Sequence, residues 1–402
     1  MKAVILAAGE GMRCRPLTLT RSKVMLRIAN RPMIEYVVQS LAKSGITDII
    51  MVVGYAKERI MNYFGNGKDF GVNIEYTEQK HQLGTAHAIK QAKGSVDDEF
   101  LVLNGDNLVS ADTIADITKR HTGGTSILTT TGNATSGYAL VIESGGGVKK
   151  IVEGKILKNI HNINTGIYIF DQTIFDAIEE TLQADISGVS EFGITDSIQR
   201  MINAGYDVHA HRTDHTWTDV IHSWDLLSVN AMILEGVPDK VHGLADSKIN
   251  GRVVIGKDSA IGENSYVKGP VIIGRNCDIG PNVVIAPSTS IGDNVTIEPF
   301  TYIKNSVIFD DVHIGSHSTI KNTVIGENNV IDSHFVVESR RDLTVELDRK
   351  LYHADELGTV IGDDGTIGCD VAVAAGALIG IECRIEAGTV VRKQIPSHAL
   401  VV

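Results

Sequence analysis

Cysteine, tryptophan and proline are scarce in this chain: four, two and eight among 402 residues. Cys14, Cys277, Cys369 and Cys383 show no paired metal spacing, which excludes a thiolate site of that kind and points to reduced thiols. No apolar run approaches the roughly 20 residues of a membrane span. The opening "MKAVILAAGEGMRCR" also lacks the long apolar core of a signal peptide. The expectation is a cytoplasmic protein with no membrane partner. An excess of positive charge is missing too, since 37 basic and 49 acidic side chains give a net charge of -12. That argues against a nucleic-acid partner bound over the whole surface. What is present is ordinary for a globular chain with two or more full cores, 43% hydrophobic and 21% charged. The basic residues are unevenly placed. The N-terminal segment carries Lys2, Arg13, Arg15, Arg21, Lys23, Arg27 and Arg31 against Glu10. A basic segment in an acidic protein suggests a focused anion site.

The chain divides by period. Up to about residue 235, short aliphatic runs ("KAVILA", "DIIMVVG", "NIEYTE", "EFLVLNGD") alternate with helical patterns such as "PMIEYVVQSLAKSG" and "GTAHAIKQAKG", the latter ending near Gly94. Such alternation predicts an α/β fold with a mostly parallel sheet, whose ligands sit at the carboxyl ends of the strands. Residues 236–247 read as a linker. From 248 to 402, isoleucine or valine recurs every six residues, from Ile249 and Ile255 through Ile297 and Ile303. The register slips by one at Ile308 and Ile325, breaks over about 338–359, and returns from Ile361 to Val391. A period of six fits a prism of short strands with aliphatic residues on the axis, the left-handed parallel β-helix built from hexapeptide repeats.

The strand "KAVILA" runs into "LAAGEGMRCRPLT". No Gly-Lys-Ser/Thr closes this turn as a P-loop, and Cys14 stands where the dinucleotide fingerprint needs its third glycine. The longer stretch "LAAGEGMRCRPLTLTRSKVMLRIANRPMIEYV" instead resembles the signature of the sugar-1-phosphate nucleotidylyltransferases, departing at Met12, Ser22 and Arg31. The resemblance implies a Rossmann-like nucleotidylyltransferase domain at 1–235. In it Leu6, Ala7, Ala8, Gly9 and Gly11 leave room for base and triphosphate, with main-chain N–H groups on phosphate oxygens. Arg13 and Lys23 would hold the α and leaving phosphates. It further implies nucleotide contacts from Gln79, Gly84 and Thr85 in "EQKHQLGTAHAI" and from Asn104 in "FLVLNGDNLV". Taken alone, Gly84-Thr85 reads equally as a helix start with Thr as cap. Asp106 and, in "TWTDVIHSWDLL", Asp219 would hold Mg²⁺, while Asp225 reads as a helix-start acid. Gly137, Glu153, Asn164 and Glu191 match the sugar-binding positions. The reaction implied takes NTP (UTP or dTTP) and a sugar-1-phosphate (glucose- or N-acetylglucosamine-1-phosphate) to NDP-sugar and pyrophosphate. The nucleophile is already an ionised phosphate, so no general base is needed.

Over the whole length the chain resembles archaeal two-domain enzymes that also acetylate glucosamine-1-phosphate from acetyl-CoA on the β-helix. Their "HLSY"-like segment falls here on "GSHSTIKNTVIGENN", with Ser316 at the histidine position, His317 one residue off and Thr319 for the tyrosine. Ser339 stands for the asparagine of a later stretch. Three readings follow: a nucleotidylyltransferase with a trimerising β-helix, a bifunctional enzyme using His317 and Ser339, or a nucleotide-sugar sensor without catalysis.

Overall fold

Strands β1 (Lys2–Ala7), β2 (Asp48–Val53), β3 (Asn73–Glu78) and β4 (Glu99–Asn104) form where the aliphatic runs predict them. The computed structural model describes residues 1–96, 98–134, 138–153, 157–184, 191–237 and 248–402. These pack as two units, Met1–Glu10 with Met33–Asp219, and Gly11–Pro32 with Val220–Val402.

In the first unit, β4, β1, β2 and β3 lie side by side and parallel. Burial of β1, β2 and β4 on both faces explains their near-continuous aliphatic runs, whereas the edge strand β3 buries only Ile74. Val4, Ile50, Val52, Phe100 and Val102 are buried in one core. Helix α1 (Met33–Lys43) buries Met33, Ile34, Val37, Val38 and Leu41, the helical spacing its sequence shows. Helix α2 (Thr85–Lys90) is shorter than expected. The amides of Gln91, Ala92 and Lys93 bond only three residues back, so tight turns carry the chain toward β4 before Gly94 is reached. The chain steps outward from β1 to β2 to β3, then returns to lay β4 on the other side of β1. The strand order therefore reverses between β1 and β4, where open α/β sheets take their ligands.

In the second unit the six-residue period becomes three parallel sheets of eight, seven and eight short strands among the described residues. Ile255 pairs with Ile273 and Ile273 with Ile291, so each coil has three faces of six residues. The one-residue slips are shortened coils, in which Ile291 pairs with Ile308 and Ile308 with Ile325. Ile279, Ile285, Ile297, Ile303 and Ile314 are fully buried on the axis. Each such side chain contributes about 1.5–3 kcal/mol by leaving water. Asn264, Asn276, Asn282 and Asn294 turn corners with left-handed backbones, a conformation that short polar side chains tolerate. The irregular stretch is an antiparallel hairpin, Arg340–Leu347 against Lys350–Leu357, which lengthens one coil so that Ile325 pairs with Ile361.

Candidate active site

The carboxyl ends of β1 and β4 meet at the reversal point. Leu6 lies opposite Asn104, and the Gly105 N–H donates to the Leu6 carbonyl at 2.9 Å. The Ala8 carbonyl accepts from Tyr55 N–H at 2.9 Å, so Ala7–Gly9 leaves the sheet between neighbouring strand ends. Strand β5 (Asn107–Val109) starts directly after Asp106 and pairs antiparallel with β6 (Trp217–Asp219). Asp219 falls opposite Asn107. Two carboxylates distant in sequence thus occupy adjacent positions at the ligand end of the sheet. Asn107 beside them is buried, and its Oδ1 has no hydrogen-bond partner among the described residues. No group of three or more His, Cys, Asp or Glu able to hold a metal occurs among the described residues. A pair of hard oxygen donors still suits Mg²⁺, which keeps several waters and takes its remaining ligands from phosphates.

The segment expected to read the base is held from both sides. Gln79, directly after β3, is buried, and its Nε2 donates to the Gly84 carbonyl at 3.1 Å and lies 3.0 Å from His87 Nδ1. Burial, reinforced by Lys90, depresses the His87 pKa, which suits a neutral ring accepting from Gln79. Gly84 has φ 102°, and a Cβ there would lie 2.4 Å from the Phe192 carbonyl oxygen. Only glycine permits that approach. Phe192 N–H donates to Leu83 O at 2.8 Å and Ala86 N–H to Phe192 O at 3.0 Å, so Gly84-Thr85 and the Glu191 segment lie together. Thr85 does not cap its own helix, whose N-cap is Gly84. Its hydroxyl instead accepts from Ile194 N–H at 2.9 Å, in the first turn of α3 (Ile194–Asn203).

Of the expected sugar-binding residues, Glu153 is exposed and accepts from Thr195 Oγ1 at 2.5 Å, beside that same helix start. Asn164 is buried; its amide donates to the Tyr168 oxygen at 2.7 Å and its Oδ1 accepts from Gly166 N–H at 3.1 Å. Burial pushes the Tyr168 phenol up, so it stays neutral. Glu191 is exposed. Gly137 lies outside the described residues.

Within the second unit, Gly11–Pro32 forms three short 3-10 turns at Met12–Cys14, Leu17–Leu19 and Lys23–Met25. Gly11 has φ 81°, and a Cβ there would lie 2.4 Å from the Lys23 Cβ. Thr18 Oγ1 donates to the Gly11 carbonyl at 3.1 Å and Cys14 N–H to the same oxygen at 2.8 Å. The segment is thereby closed on itself, with Arg13 exposed and Lys23 half-buried. The basic residues do not all serve one anion site, as their clustering suggested. Arg21 is only 1% exposed and pairs with Glu327 at 2.5 Å and with Asp363, while Arg27 pairs with Asp310 at 2.6 Å. Burial alone would lower the Arg21 pKa, but the two carboxylates reverse this and raise it. Charge counting missed these roles because the acids lie hundreds of residues downstream.

Asp225 is the helix-start acid expected, opening α4 (Asp225–Glu235) and accepting from the N–H groups of Ile221 and His222 at 2.9 and 2.8 Å. His317 is exposed at a corner with φ 60°, stacked against Phe300 at 4.9 Å and edge-on to His334 at 5.2 Å. Ser339 accepts from Asn322 Nδ2 at 2.6 Å, in a ladder that begins at Asn305. The two residues belong to different columns of the prism. The four cysteines are free thiols.

A β1 turn at the order reversal, a carboxylate pair beside it and, later in the chain, a hexapeptide prism define a nucleotide-handling α/β enzyme joined to a β-helix. Residues 2–236 match the Nucleotidyl transferase family, residues 267–364 the GMPPB C-terminal domain and residues 358–393 the hexapeptide repeat of succinyl-transferase. The chain belongs to the nucleotidyl transferase family. It is 31% identical over its full length to the bifunctional protein GlmU of Methanococcus maripaludis strain S2, covering 97% of that protein. A glucose-1-phosphate thymidylyltransferase of Streptomyces antibioticus is 32% identical over 68% of this chain and 77% of its own length. The nucleotidyltransferase Agl11 of low-salt glycan biosynthesis in Haloferax volcanii is 33% identical over 64% of this chain and 74% of its own. A crystal structure of a Bacillus anthracis protein, assigned as a glucose-1-phosphate thymidylyltransferase and solved with sucrose, matches 61% of this chain and 98% of its own. The TM-score is 0.52 at 26% identity.

Proposed function

We propose that the protein joins UTP or dTTP to a sugar-1-phosphate, glucose-1-phosphate or N-acetylglucosamine-1-phosphate, giving an NDP-sugar and pyrophosphate. An ionised phosphate oxygen of the sugar-1-phosphate attacks the α-phosphorus. The bond from that phosphorus to the bridging oxygen breaks, and pyrophosphate leaves with the electron pair. Backbone N–H groups of the turn after β1, from Ala7 to Gly11, bind phosphate oxygens, while Arg13 and Lys23 neutralise the α and leaving phosphates. Gln79, Gly84, Thr85 and Asn104 line the nucleotide; Glu153, Asn164, Glu191 and Gly137 line the sugar. Asp106 and Asp219 would hold Mg²⁺, which supplies charge neutralisation on the triphosphate. The observation that carries this reading is the β5–β6 register, which sets Asp219 opposite Asn107, next to Asp106, at the ligand end of the sheet.

In this reading residues 1–235 form the catalytic domain, and the β-helix from 248 onward assembles a homotrimer in the cytoplasm. The full-length similarity to a bifunctional GlmU favours a second reading, acetyl transfer from acetyl-CoA on the β-helix. The placement of His317 and Ser339 in separate columns weighs against it. Pyrophosphate release with UTP and dTTP against both sugar-1-phosphates tests the first reading, and silence with every pair overturns it. Thiol release from acetyl-CoA with glucosamine-1-phosphate tests the second.

A further inference from the structure

The cations assigned to the phosphates sit on a segment that the β-helix holds in register. Asp310, Glu327 and Asp363 occupy equivalent corner positions on successive coils, each two residues after a paired isoleucine (Ile308, Ile325, Ile361). The segment Gly11–Pro32 climbs this column. Asn30 Nδ2 donates to the Ile291 carbonyl at 2.5 Å on the lower coil, Arg27 pairs with Asp310 at 2.6 Å on the next, and Arg21 reaches Glu327 and Asp363 on the two above. The Arg21 guanidinium also lies 5.3 Å from the centre of the Phe309 ring. Asp363 takes Arg21 and Thr20 on one oxygen and the Glu327 backbone N–H, at 2.8 Å, on the other. Thus the acid that holds the segment is itself locked between coils. Lys23 follows Arg21 by two residues, and Gly11 packs against Lys23, so a shift at Arg21 carries the ring that bears Arg13 and Lys23.

We propose that Arg21 is a positioning residue for nucleotidyl transfer, and that the β-helix takes part in that reaction by holding Arg13 and Lys23 in place through Glu327 and Asp363. This rests on the proposed function. An arginine wholly buried between two carboxylates costs desolvation, so the contact serves geometry more than raw stability. Loss of the contact displaces two phosphate-binding cations together, and displacements of about 1 Å can cost on the order of 100-fold in rate.

The test uses the full chain with both acids changed to amides, Glu327→Gln with Asp363→Asn, which keeps side-chain volume while removing the charges that fix Arg21. The expected result is a fall of at least about tenfold in kcat/KM for the nucleotide, with the KM for sugar-1-phosphate changed less than about twofold. Faster amide hydrogen exchange confined to 11–32 should accompany it, in a protein with wild-type circular dichroism. Arg21→Lys, which keeps one charge contact, should fall between this variant and wild type. An unchanged kcat/KM for the nucleotide, or an activity loss that only tracks an unfolded fraction, overturns the proposal. If the wild-type chain is itself inactive with every nucleotide and sugar pair, the functional reading fails instead. The exchange measurement then still decides whether these acids hold the segment.

Discussion

At the scale of single residues, close approach and charge decide different things. Gly11 sits where a Cβ would meet Lys23, with a left-handed backbone that alone costs a larger residue about 1–2 kcal/mol. Gly11→Ala should therefore lower kcat/KM by about 10–100-fold by moving Lys23, while the cooperative melt of the β-helix stays in place; wild-type turnover would refute the packing argument. Under the proposed chemistry, Lys23→Ala removes a cation from the developing charge and should cost roughly 100–1,000-fold in kcat, measured by pyrophosphate release. If Asp106 and Asp219 hold Mg²⁺ as proposed, Asp219→Asn should raise the Mg²⁺ concentration for half-maximal activity by an order of magnitude or more, since one of two anionic donors is lost. A magnesium titration with unchanged midpoint would remove Asp219 from the metal assignment.

At the scale of elements, the two halves respond to different periods. Strands β1, β2 and β4 of the first sheet were legible because burial on both faces demands unbroken aliphatic runs. The end of α2 was not legible, because tight turns and a continuing helix share the same apolar spacing. In the prism, the axial residues found by the six-residue count are buried from Val267 onward, while Ile249, Ile255 and Ile261 of the first coil are partly buried, since a coil of three six-residue faces returns the same side to the axis. Ile297→Ala should cost about 2–5 kcal/mol in denaturant unfolding, with the loss felt by neighbouring coils. The hairpin contributes a smaller core of its own: Val345, Ala354 and Leu357 are buried, and Tyr352 packs 4.5 Å from His222, which in turn stacks on Trp224 at 4.6 Å. Excision of Arg340–Leu357 restores the spacing of an ordinary coil between Ile325 and Ile361. The shortened chain should keep its β-rich circular dichroism while its melting midpoint falls; loss of the β-helix signal would mean the hairpin is required for closure.

At the scale of the whole molecule, no described helix is long and apolar enough to cross a membrane. Val336 and Val390 project from one prism face, on the coils either side of Ala372, at 43% and 54% exposure. Trimer formation through that domain predicts a sedimenting mass three times the 43.3 kDa of the chain. Val336→Glu with Val390→Glu should shift it toward the monomer without loss of the fold, and a wild-type chain that sediments as a monomer would end the assembly reading.

What the linear chain determined by itself was local and periodic. The β1 turn, the order of the motifs, the six-residue repeat and even its one-residue slips are written in neighbouring residues, because strand burial and prism geometry act over a few positions at a time. Tertiary structure alone decided the partners. Asp219 joins Asp106 only through a strand register, and Arg21 turns from one basic residue among seven into the buried counterpart of Glu327 and Asp363. Such pairings depend on which distant backbones run side by side, and no spacing along the chain encodes that.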